Sequence, residues 1–256
     1  MKELNGGREN SIFQCGDTVI RPLNPWSSTI HLLLTHLSQK RMSGIPKLVG
    51  KDESNEHLTF VEGDTFNYPL RGAIASEEAL VSAAQLLRKM HDASESFVHE
   101  HSVEELCWMQ TPRKPYEVIC HNDFAPYNVA LVGNETVGVF DFDTAYPAPR
   151  IWDLAYAVYC WSPLKTHPSD RLGNMQDQID RARLFCEGYG ISVEERERLP
   201  SVMISRLEAL VAFMHKEALL GHESFISNIR DGHHHAYMKD IEYIRKNQKA
   251  IRMGLG

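Results

Sequence analysis

The stretch VICHNDFAPYNVALVGNETVGVFDFDTAYPAPRIWDLAYAVY, from Val118 to Tyr159, decides the fold of this 256-residue chain. Its polar residues interrupt strongly apolar surroundings, and this placement costs stability unless the polar groups are used. Two apolar runs, Val129 to Val132 and Val137 to Phe140, are separated by the turn-forming sequence GNET. The stretch therefore predicts an antiparallel hairpin flanked by polar loops.

The open end of this hairpin gathers oxygen-bearing side chains. Folding about Asn134-Glu135 places Asn128 opposite Asp141, and cross-strand neighbours lie roughly 5 Å apart. An amide oxygen and a carboxylate at that spacing suit Mg²⁺, which prefers oxygen ligands and substrate phosphates. Asp123 lies five residues before Asn128, on the loop that enters the hairpin. It could act there as a base or an orienting group for a substrate hydroxyl.

Each of these polar residues also has an ordinary structural explanation. Asp and Asn are common at turns and caps, so only their joint arrangement favours function. Asp143 falls on the same side as Asp141 and could be a second metal ligand, a substrate contact or merely exposed to solvent. We expect His121 to be structural, hydrogen-bonded to nearby backbone.

The chain ahead of Gly63 predicts a small sheet with one helix. Two short strands, SIFQC and TVIRP, meet at Gly16-Asp17, which is a strong hairpin signal. A helix is predicted over Thr29 to Gln39, with an N-cap in the Ser27-Ser28-Thr29 lead-in. Two further strands are predicted, at Lys47 to Gly50 and His57 to Val61, around a polar turn.

Amphipathic helices dominate the rest of the chain, beginning with a long one from Ser76 to His91. We therefore predict two lobes in an α+β arrangement, a strand-rich lobe over residues 1–62 and a helical lobe over residues 63–256. The chain shows no internal repeat and no low-complexity tract.

Composition narrows the possible partners. The net charge of −7, with no cluster of lysine or arginine, argues against nucleic acid and anionic membrane surfaces. The five cysteines form no CxxC pair of the kind that binds zinc or performs redox chemistry. There is no apolar run of membrane-spanning length and no signal-peptide core, so we expect a cytoplasmic protein, as a monomer or homodimer.

The motif HNDFAPYN (His121 to Asn128), followed by DFD (Asp141 to Asp143), resembles the catalytic and metal-binding loops of kinases. In detail the chain looks more like the aminoglycoside phosphotransferase and choline kinase-like enzymes, whose HGDxxxxN and IDFxxA...DLA patterns are matched by HNDFAPYN and FDFDTA...WDLA. The segments LNGGRENSIFQCGDTVIRP and LTFVEGD also look like that family's first hairpin and nucleotide hinge. A protein kinase is disfavoured because D-F-G and A-P-E are both missing.

This resemblance implies a bilobal, protein-kinase-like fold with ATP or GTP between the lobes. Asp123 would be the catalytic base, Asn128 and Asp141 would bind Mg²⁺, and Asp153 would brace the catalytic loop. The resemblance places the nucleotide on residues of the small lobe and hinge: Gly6, Gly7, Asn10, Arg21, Phe60, Val61 and Glu62.

Three positions depart from the family pattern. Arg21 stands where kinases have a lysine, and arginine keeps the charge but changes the geometry. The helix from Thr29 to Gln39 lacks the usual partner glutamate, so His31 or His36 would face the cation. Asn122 replaces a glycine, and asparagine tolerates unusual backbone angles better than most residues.

The acceptor is not fixed by the sequence. We expect a small molecule that carries a hydroxyl group. A polycationic acceptor would need acidic residues, and the helical lobe offers several, which a solvated surface explains equally well: Glu194, Glu195, Glu197, Asp240 and Glu242. The alternative function is a catalytically silent nucleotide- or metabolite-binding protein, suggested by Arg21 and by the missing helix glutamate.

Overall fold

The computed structural model describes residues 2–4 and 12–256. The first lobe is a five-stranded sheet in the order β1-β2-β3-β5-β4, with one helix packed beside it. Its neighbouring strands are all antiparallel. The elements are β1 (Lys2–Glu3), β2 (Phe13–Cys15), β3 (Thr18–Pro22), α1 (Ser27–Gln39), β4 (Leu48–Lys51) and β5 (Asn55–Thr59).

The second lobe is mainly helical and holds most of the buried core. Two short antiparallel pairs, β6 with β9 and β7 with β8, lie within it. Its elements are α2 (Glu77–Glu100), β6 (Val118–Cys120), β7 (Val129–Val132), β8 (Glu135–Val139), β9 (Tyr146–Ala148), α3 (Arg150–Trp161), α4 (Met175–Tyr189), α5 (Val193–Leu219), α6 (Glu223–Arg230) and α7 (His233–Leu255). The predicted α+β, bilobal, kinase-like fold is confirmed.

The small lobe follows its sequence signals closely at the first hairpin. Strands β2 and β3 pair with Cys15 opposite Thr18, so Gly16-Asp17 forms the predicted two-residue turn. Helix α1 buries the apolar stripe that predicted it, including Leu33 and Leu37. Its predicted side-chain cap is wrong, because the Ser27 hydroxyl instead accepts a hydrogen bond from the backbone N–H of Asn24.

The last strand of the small lobe, β5, begins and ends two residues earlier than predicted. β5 ends at Thr59, so Phe60, Val61 and Glu62 lie in the connection between the lobes and not in a strand. The backbone N–H and C=O groups of Asp64 then pair with Leu131 on β7. This short bridge attaches the connecting segment to the hairpin that carries the polar residues.

Helix α2 extends nine residues beyond its predicted end at His91 and finishes at Glu100. The hydroxyl of Ser76 accepts a hydrogen bond from the N–H of Ala79 and caps its start. The extension is stabilised by burial, since Phe97 is fully enclosed. None of the helices over the described residues is both long and apolar enough to cross a bilayer.

The β7–β8 hairpin forms as predicted, but its register is wrong by one residue. Val129 faces Val139, and the N–H of Phe140 donates to the carbonyl of Asn128. Asn128 is therefore opposite Phe140 and not Asp141. The chain turns at Gly133-Asn134, one position before the predicted centre, which alone would offset the pairing by two residues. The extra residue Val137 in β8 forms a bulge that reduces the offset to one.

Close packing between β8 and the small lobe yields a stability prediction. A Cβ on Gly138 would lie 2.4 Å from Val61 Cγ1 and 2.8 Å from the carbonyl oxygen of Gly44. We expect Gly138→Ala to lower the free energy of unfolding by about 1–3 kcal/mol, because the contact cannot relax without moving backbone. Chemical denaturation measures the change.

The matched control is Gly50→Ala on β4, where an added Cβ meets no atom within 4 Å. Its effect should stay within about 0.5 kcal/mol. Equal stability of the two variants would contradict close packing of the lobes at Gly138.

Candidate active site

Asp153, in the first turn of α3, organises the loop that precedes Asp123. Its carboxylate is fully buried and accepts hydrogen bonds from the backbone N–H groups of His121 at 2.7 Å and Asn122 at 2.8 Å. His91 Nε2 on α2 donates a third bond at 3.0 Å. The bracing role implied for Asp153 thus has a definite geometry, in which a side chain fixes two consecutive backbone groups.

The protonation states of this buried group follow from its contacts. Burial opposes the charged form of Asp153, yet the hydrogen bonds from the His91 side chain and from the His121 backbone hold the pKa of Asp153 below its ordinary value. Burial lowers the pKa of His91, so its imidazole is neutral at neutral pH. Neutral His91 donates from Nε2 to Asp153, and its Nδ1 accepts from the Tyr189 hydroxyl.

The loop itself turns at Asn122. This residue has a φ of 63°, in the left-handed region, which agrees with the tolerance expected of asparagine at a glycine position. The guanidinium of Arg206 on α5 donates to its carbonyl oxygen at 2.7 Å. The ring of His121 lies against Phe142 and its Nε2 bonds to the carbonyl of Phe140, so His121 is structural, as expected.

Asp123 is the next residue on this loop, and each of its carboxylate oxygens accepts a hydrogen bond from a neighbouring side chain. The Tyr127 hydroxyl donates to Oδ1 at 2.7 Å, and Asn128 Nδ2 donates to Oδ2 at 2.9 Å. Asn128 Nδ2 also bonds to the carbonyl oxygen of Asp123 at 3.0 Å. Because its amide nitrogen is directed at Asp123, Asn128 has its amide oxygen as the atom available for a cation.

Asp141 follows β8 after one residue, Phe140, and turns the chain sharply. Its φ of 62° is left-handed, and its side chain is 43% exposed. Asp143 follows in a short 3₁₀ turn and is 18% exposed. Across the cleft, Arg21 on β3 reaches both carboxylates, with Nη1 3.5 Å from Asp141 Oδ1 and Nη2 2.7 Å from Asp143 Oδ1. Asp143 is therefore a partner of Arg21 and more than a solvent-exposed residue.

Glu56 is the site residue that sequence reasoning missed. It lies directly opposite Arg21 in the β3–β5 ladder, is fully buried, and its Oε1 accepts from Arg21 Nε at 2.6 Å. His31 of α1 binds its other oxygen, Oε2. The carboxylate that the helix lacks is thus supplied by the neighbouring strand, and His31, not His36, is the helix residue that supports it.

Glu56 lies just ahead of the strand that the sequence predicts. The apolar pattern begins that strand at His57 and leaves Glu56 in a turn, whereas β5 begins at Asn55. Side chains alternate along Asn55–Thr59, so that Glu56 and Leu58 are buried on one face. This alternation with a period of two is the sequence signal that places Glu56 in the strand.

Three carboxylates determine the charge state of Arg21. Burial alone would lower its pKa, but Asp143, Glu56 and Asp141 together raise the pKa of Arg21 well above its ordinary value. Arg21 is consequently a permanent positive charge that bridges the two lobes.

The remaining predicted nucleotide contacts divide into two groups. Phe60, Val61 and Glu62 form the connection between the lobes, where the N–H of Phe60 donates to the carbonyl of Asp17 at 2.7 Å. Gly6, Gly7 and Asn10 lie outside the described residues. The assignment of all these residues to a nucleotide stays a prediction.

The comparisons with known proteins agree with this arrangement. Residues 84–186 match the model of the phosphotransferase enzyme family, and this range contains the loop, the hairpin and Asp153. The trifolitoxin immunity protein of Rhizobium leguminosarum bv. trifolii is 31% identical over 230 residues, covering 86% of this chain and 86% of that protein.

Solved structures extend the likeness of fold to nearly the whole chain. A gentamicin complex of the phosphotransferase APH(2")-IIa has a TM-score of 0.57 at 15% identity, covering 98% of this chain and 92% of that chain. A choline/ethanolamine kinase family protein from Mesorhizobium loti has a TM-score of 0.58 at 13% identity, covering 94% and 89%. The GDP complex of aminoglycoside 2'-phosphotransferase-IIIa has a TM-score of 0.57 at 14% identity, covering 96% and 92%.

The brace at Asp153 yields a second prediction. Asp153→Asn should lower the free energy of unfolding by about 3–5 kcal/mol at neutral pH, because an amide leaves buried donors without a charged acceptor. The folded pKa of Asp153 is depressed, so its contribution is present above its ordinary value of 3.8 and is lost as the pH falls through the lower folded pKa. Denaturation at a series of pH values measures both effects.

Asp92→Asn is the control, because Asp92 is an exposed carboxylate that pairs with Arg88 and Arg150. It should cost no more than about 1 kcal/mol. A loss at Asp153 no greater than the loss at Asp92 would rule out the bracing role.

Proposed function

Since the chain belongs to the phosphotransferase enzyme family, we propose that it transfers the γ-phosphate of ATP or GTP to a hydroxyl group of a small molecule. One observation carries the proposal: Asp123, Asn128 and Asp141 lie at one end of the β7–β8 hairpin, and Arg21 reaches that end from the other lobe. Phosphoryl transfer needs mainly positioning and stabilisation of charge, and these residue types supply both.

We assign the nucleotide to the cleft between the lobes. Its base would lie against Phe60, Val61 and Glu62, and its phosphates would approach Arg21, with Gly6, Gly7 and Asn10 as further contacts. Arginine binds phosphate oxygens in a bidentate manner, so the replacement of lysine retains a phosphate ligand. Because ATP and GTP are cytosolic metabolites, we also propose a cytoplasmic location.

The carboxylate of Asp123 is placed to interact with the hydroxyl group of the acceptor. Hydrogen bonds from Tyr127 and Asn128 hold its carboxylate in one orientation. A fixed carboxylate can accept the proton of an attacking hydroxyl or orient that hydroxyl toward the phosphate. Asp123 is therefore the proposed catalytic base.

The donor set around Asp141 fits Mg²⁺. Asn128 offers an amide oxygen, and Asp141 and Asp143 offer carboxylates, all of them hard oxygen ligands. When bound, the ion would neutralise charge that develops on the transferred phosphate. Arg21 now contacts both carboxylates, so these oxygens face a positive charge already in the structure. The chain's own residues thus hold two carboxylates side by side in the cleft.

Glu56 bears on the alternative of a catalytically silent binding protein. One reason for that alternative was the missing helix glutamate, and Glu56 supplies a carboxylate to the same cation. The immunity role named for the Rhizobium relative supports a different second candidate, protection of a cell against a toxin. A phosphotransferase could provide that protection by modifying the toxin.

Asp123→Asn tests the proposed chemistry. We expect phosphate transfer to fall by at least about 100-fold, because the base is lost from a site that keeps its shape. Nucleotide binding should stay near the wild-type value, since Asp123 faces the acceptor. Transfer from γ-labelled ATP to a panel of hydroxyl compounds, run beside calorimetry of nucleotide binding, measures both quantities.

Asp92→Asn serves again as the control and should transfer phosphate normally, because Asp92 pairs only at the surface. Unchanged transfer by Asp123→Asn would sink the assignment of the base. Expression of both variants in toxin-sensitive cells would show whether protection requires the same carboxylate.

Glu56→Gln tests the strand-borne partner of Arg21. Without the charge of Glu56, the guanidinium of Arg21 is held only by Asp141 and Asp143 of the other lobe. The nucleotide phosphates must then draw Arg21 away from these two carboxylates with no partner in the small lobe to keep it in place. We expect nucleotide affinity to fall about tenfold, the size of one charge-assisted hydrogen bond. Glu53→Gln, in the exposed turn before β5, is the matched control. Equal nucleotide affinity for both variants would show that Glu56 does not contribute to nucleotide binding.

A further inference from the structure

A group of tyrosines lies beside the proposed catalytic base. The Tyr127 hydroxyl bonds to Asp123 and lies 3.5 Å from the Tyr156 hydroxyl. The ring of Tyr127 meets the ring of Tyr68 edge to face, with centroids 6.3 Å apart. We call Tyr68, Tyr127, Tyr156 and Tyr159 the tyrosine wall, of which Tyr68 and Tyr127 are half-buried, whereas Tyr156 and Tyr159 are buried. An acceptor whose hydroxyl reaches Asp123 would have its remaining atoms beside Tyr68 and Tyr127.

Aromatic walls commonly recognise cations, but this one is already covered by a cation of the protein. Lys165, just after α3, places its Nζ 3.7 Å from the Tyr68 ring centroid and 5.2 Å from that of Tyr159. Lys165 is half-buried, and over the described part of the chain it forms no ion pair with a carboxylate. Its charge is thus available to a ligand.

A second positive group supports the other end of the wall. Arg206 is 3% exposed, and its guanidinium carbon lies 4.7 Å from the Tyr156 ring centroid. The same guanidinium bonds to the carbonyl of Asn122, the residue before Asp123. Two cations therefore lie against rings of the wall, and Lys165 is the more exposed of the two, so a positively charged acceptor beside Tyr68 would meet the charge of Lys165.

Two acids lie near the wall, and the one that bonds to it is buried. Asp240 is 4% exposed, and its oxygens accept bonds from Tyr159 and from the N–H and hydroxyl of Thr166, each at 2.7 Å. Asp170, near Tyr68, accepts from Ser169.

The other acids lie on the helices away from the wall. Glu242 pairs with Arg245, and Glu195 caps the start of α5. Glu194 and Glu197 are exposed near that same helix start. Glu195 lies eleven residues before Arg206 on α5, about 16 Å along the helix axis at 1.5 Å per residue.

We propose that the acceptor is an anionic hydroxyl compound, with a carboxylate or similar group bound by Lys165 while its hydroxyl lies at Asp123. This inference rests on the proposed function and names the charge class of its substrate. It separates this chain from proteins of the same fold that bind aminoglycosides, such as the gentamicin complex above.

The test uses three hydroxyl compounds with one six-carbon polyol scaffold and different charge: gluconate (negative), sorbitol (neutral) and glucamine (positive). Phosphate transfer from ATP with Mg²⁺ is measured for each with the wild-type protein. We expect the specificity constant for gluconate to exceed that for glucamine by at least about tenfold, the size of one desolvated charge contact. A preference for glucamine would overturn the proposal.

Lys165→Met removes the charge and keeps an apolar side chain of similar length over Tyr68. It should reduce the ratio of the specificity constants for gluconate and glucamine about tenfold, because the positive charge beside Tyr68 is gone. Lys239→Met on α7 changes the net charge equally at an exposed position and should leave that ratio unchanged. An equal ratio in wild-type protein and Lys165→Met would also overturn the proposal.

Failure of the proposed function can be distinguished from failure of the proposed charge class. If ATP binds but none of the three compounds is phosphorylated, binding of each is measured by calorimetry with a non-hydrolysable nucleotide present. Tighter binding of gluconate than glucamine, lost in Lys165→Met, supports the charge class although transfer fails. Tighter binding of glucamine contradicts it.

Discussion

The buried carboxylate of Asp153 is the interaction on which the site depends. A charge in the protein interior is unfavourable unless hydrogen bonds compensate for it, and Asp153 receives them from two consecutive backbone N–H groups and from His91. These bonds fix the loop at His121 and Asn122 and thereby the direction in which Asp123 leaves it. Elements α2, α3 and the loop before β7 are consequently held at one point, and the core around them is almost fully buried.

The second constraint is electrostatic and acts between the lobes. Arg21 carries one positive charge into a cluster of three carboxylates, two from the large lobe and one from its own sheet. Glu56 holds the guanidinium from within the small lobe, so the cation keeps its position when its partners across the cleft change. The family pattern leads one to expect a strand lysine paired with a helix glutamate, and the ion pair found here joins a strand arginine to a strand glutamate.

Family membership indicates phosphate transfer to a hydroxyl group, and it does not identify the acceptor molecule. The likeness to solved kinases lies between 12% and 17% identity, a level that shows the fold alone. The proposed acceptor depends on the side chains near Asp123: Tyr127 bonds to Asp123, Tyr68 meets the ring of Tyr127, and Lys165 lies over Tyr68. Asp240 is buried and bonded to Tyr159 and Thr166, so it is not exposed for direct contact with a ligand.

The sequence by itself determined the two-lobed fold, the β7–β8 hairpin and the grouping of Asp123, Asn128 and Asp141. These features depend on local signals, namely turn residues, apolar periodicity and short spacings, which operate within about a dozen residues. The predicted hairpin register failed by one residue because the turn lies at Gly133-Asn134 and a bulge at Val137 offsets only part of that shift, and neither is visible in an apolar pattern.

Only the tertiary structure decided which distant residues meet. The pairing of Arg21 with Glu56 spans 35 positions, and that of Arg21 with Asp143 spans 122. The contact between Lys165 and Tyr68 is likewise set by packing of α3 against the segment after the first lobe. The physical reason is that local propensity specifies elements, whereas the partners of a charge depend on which elements pack together.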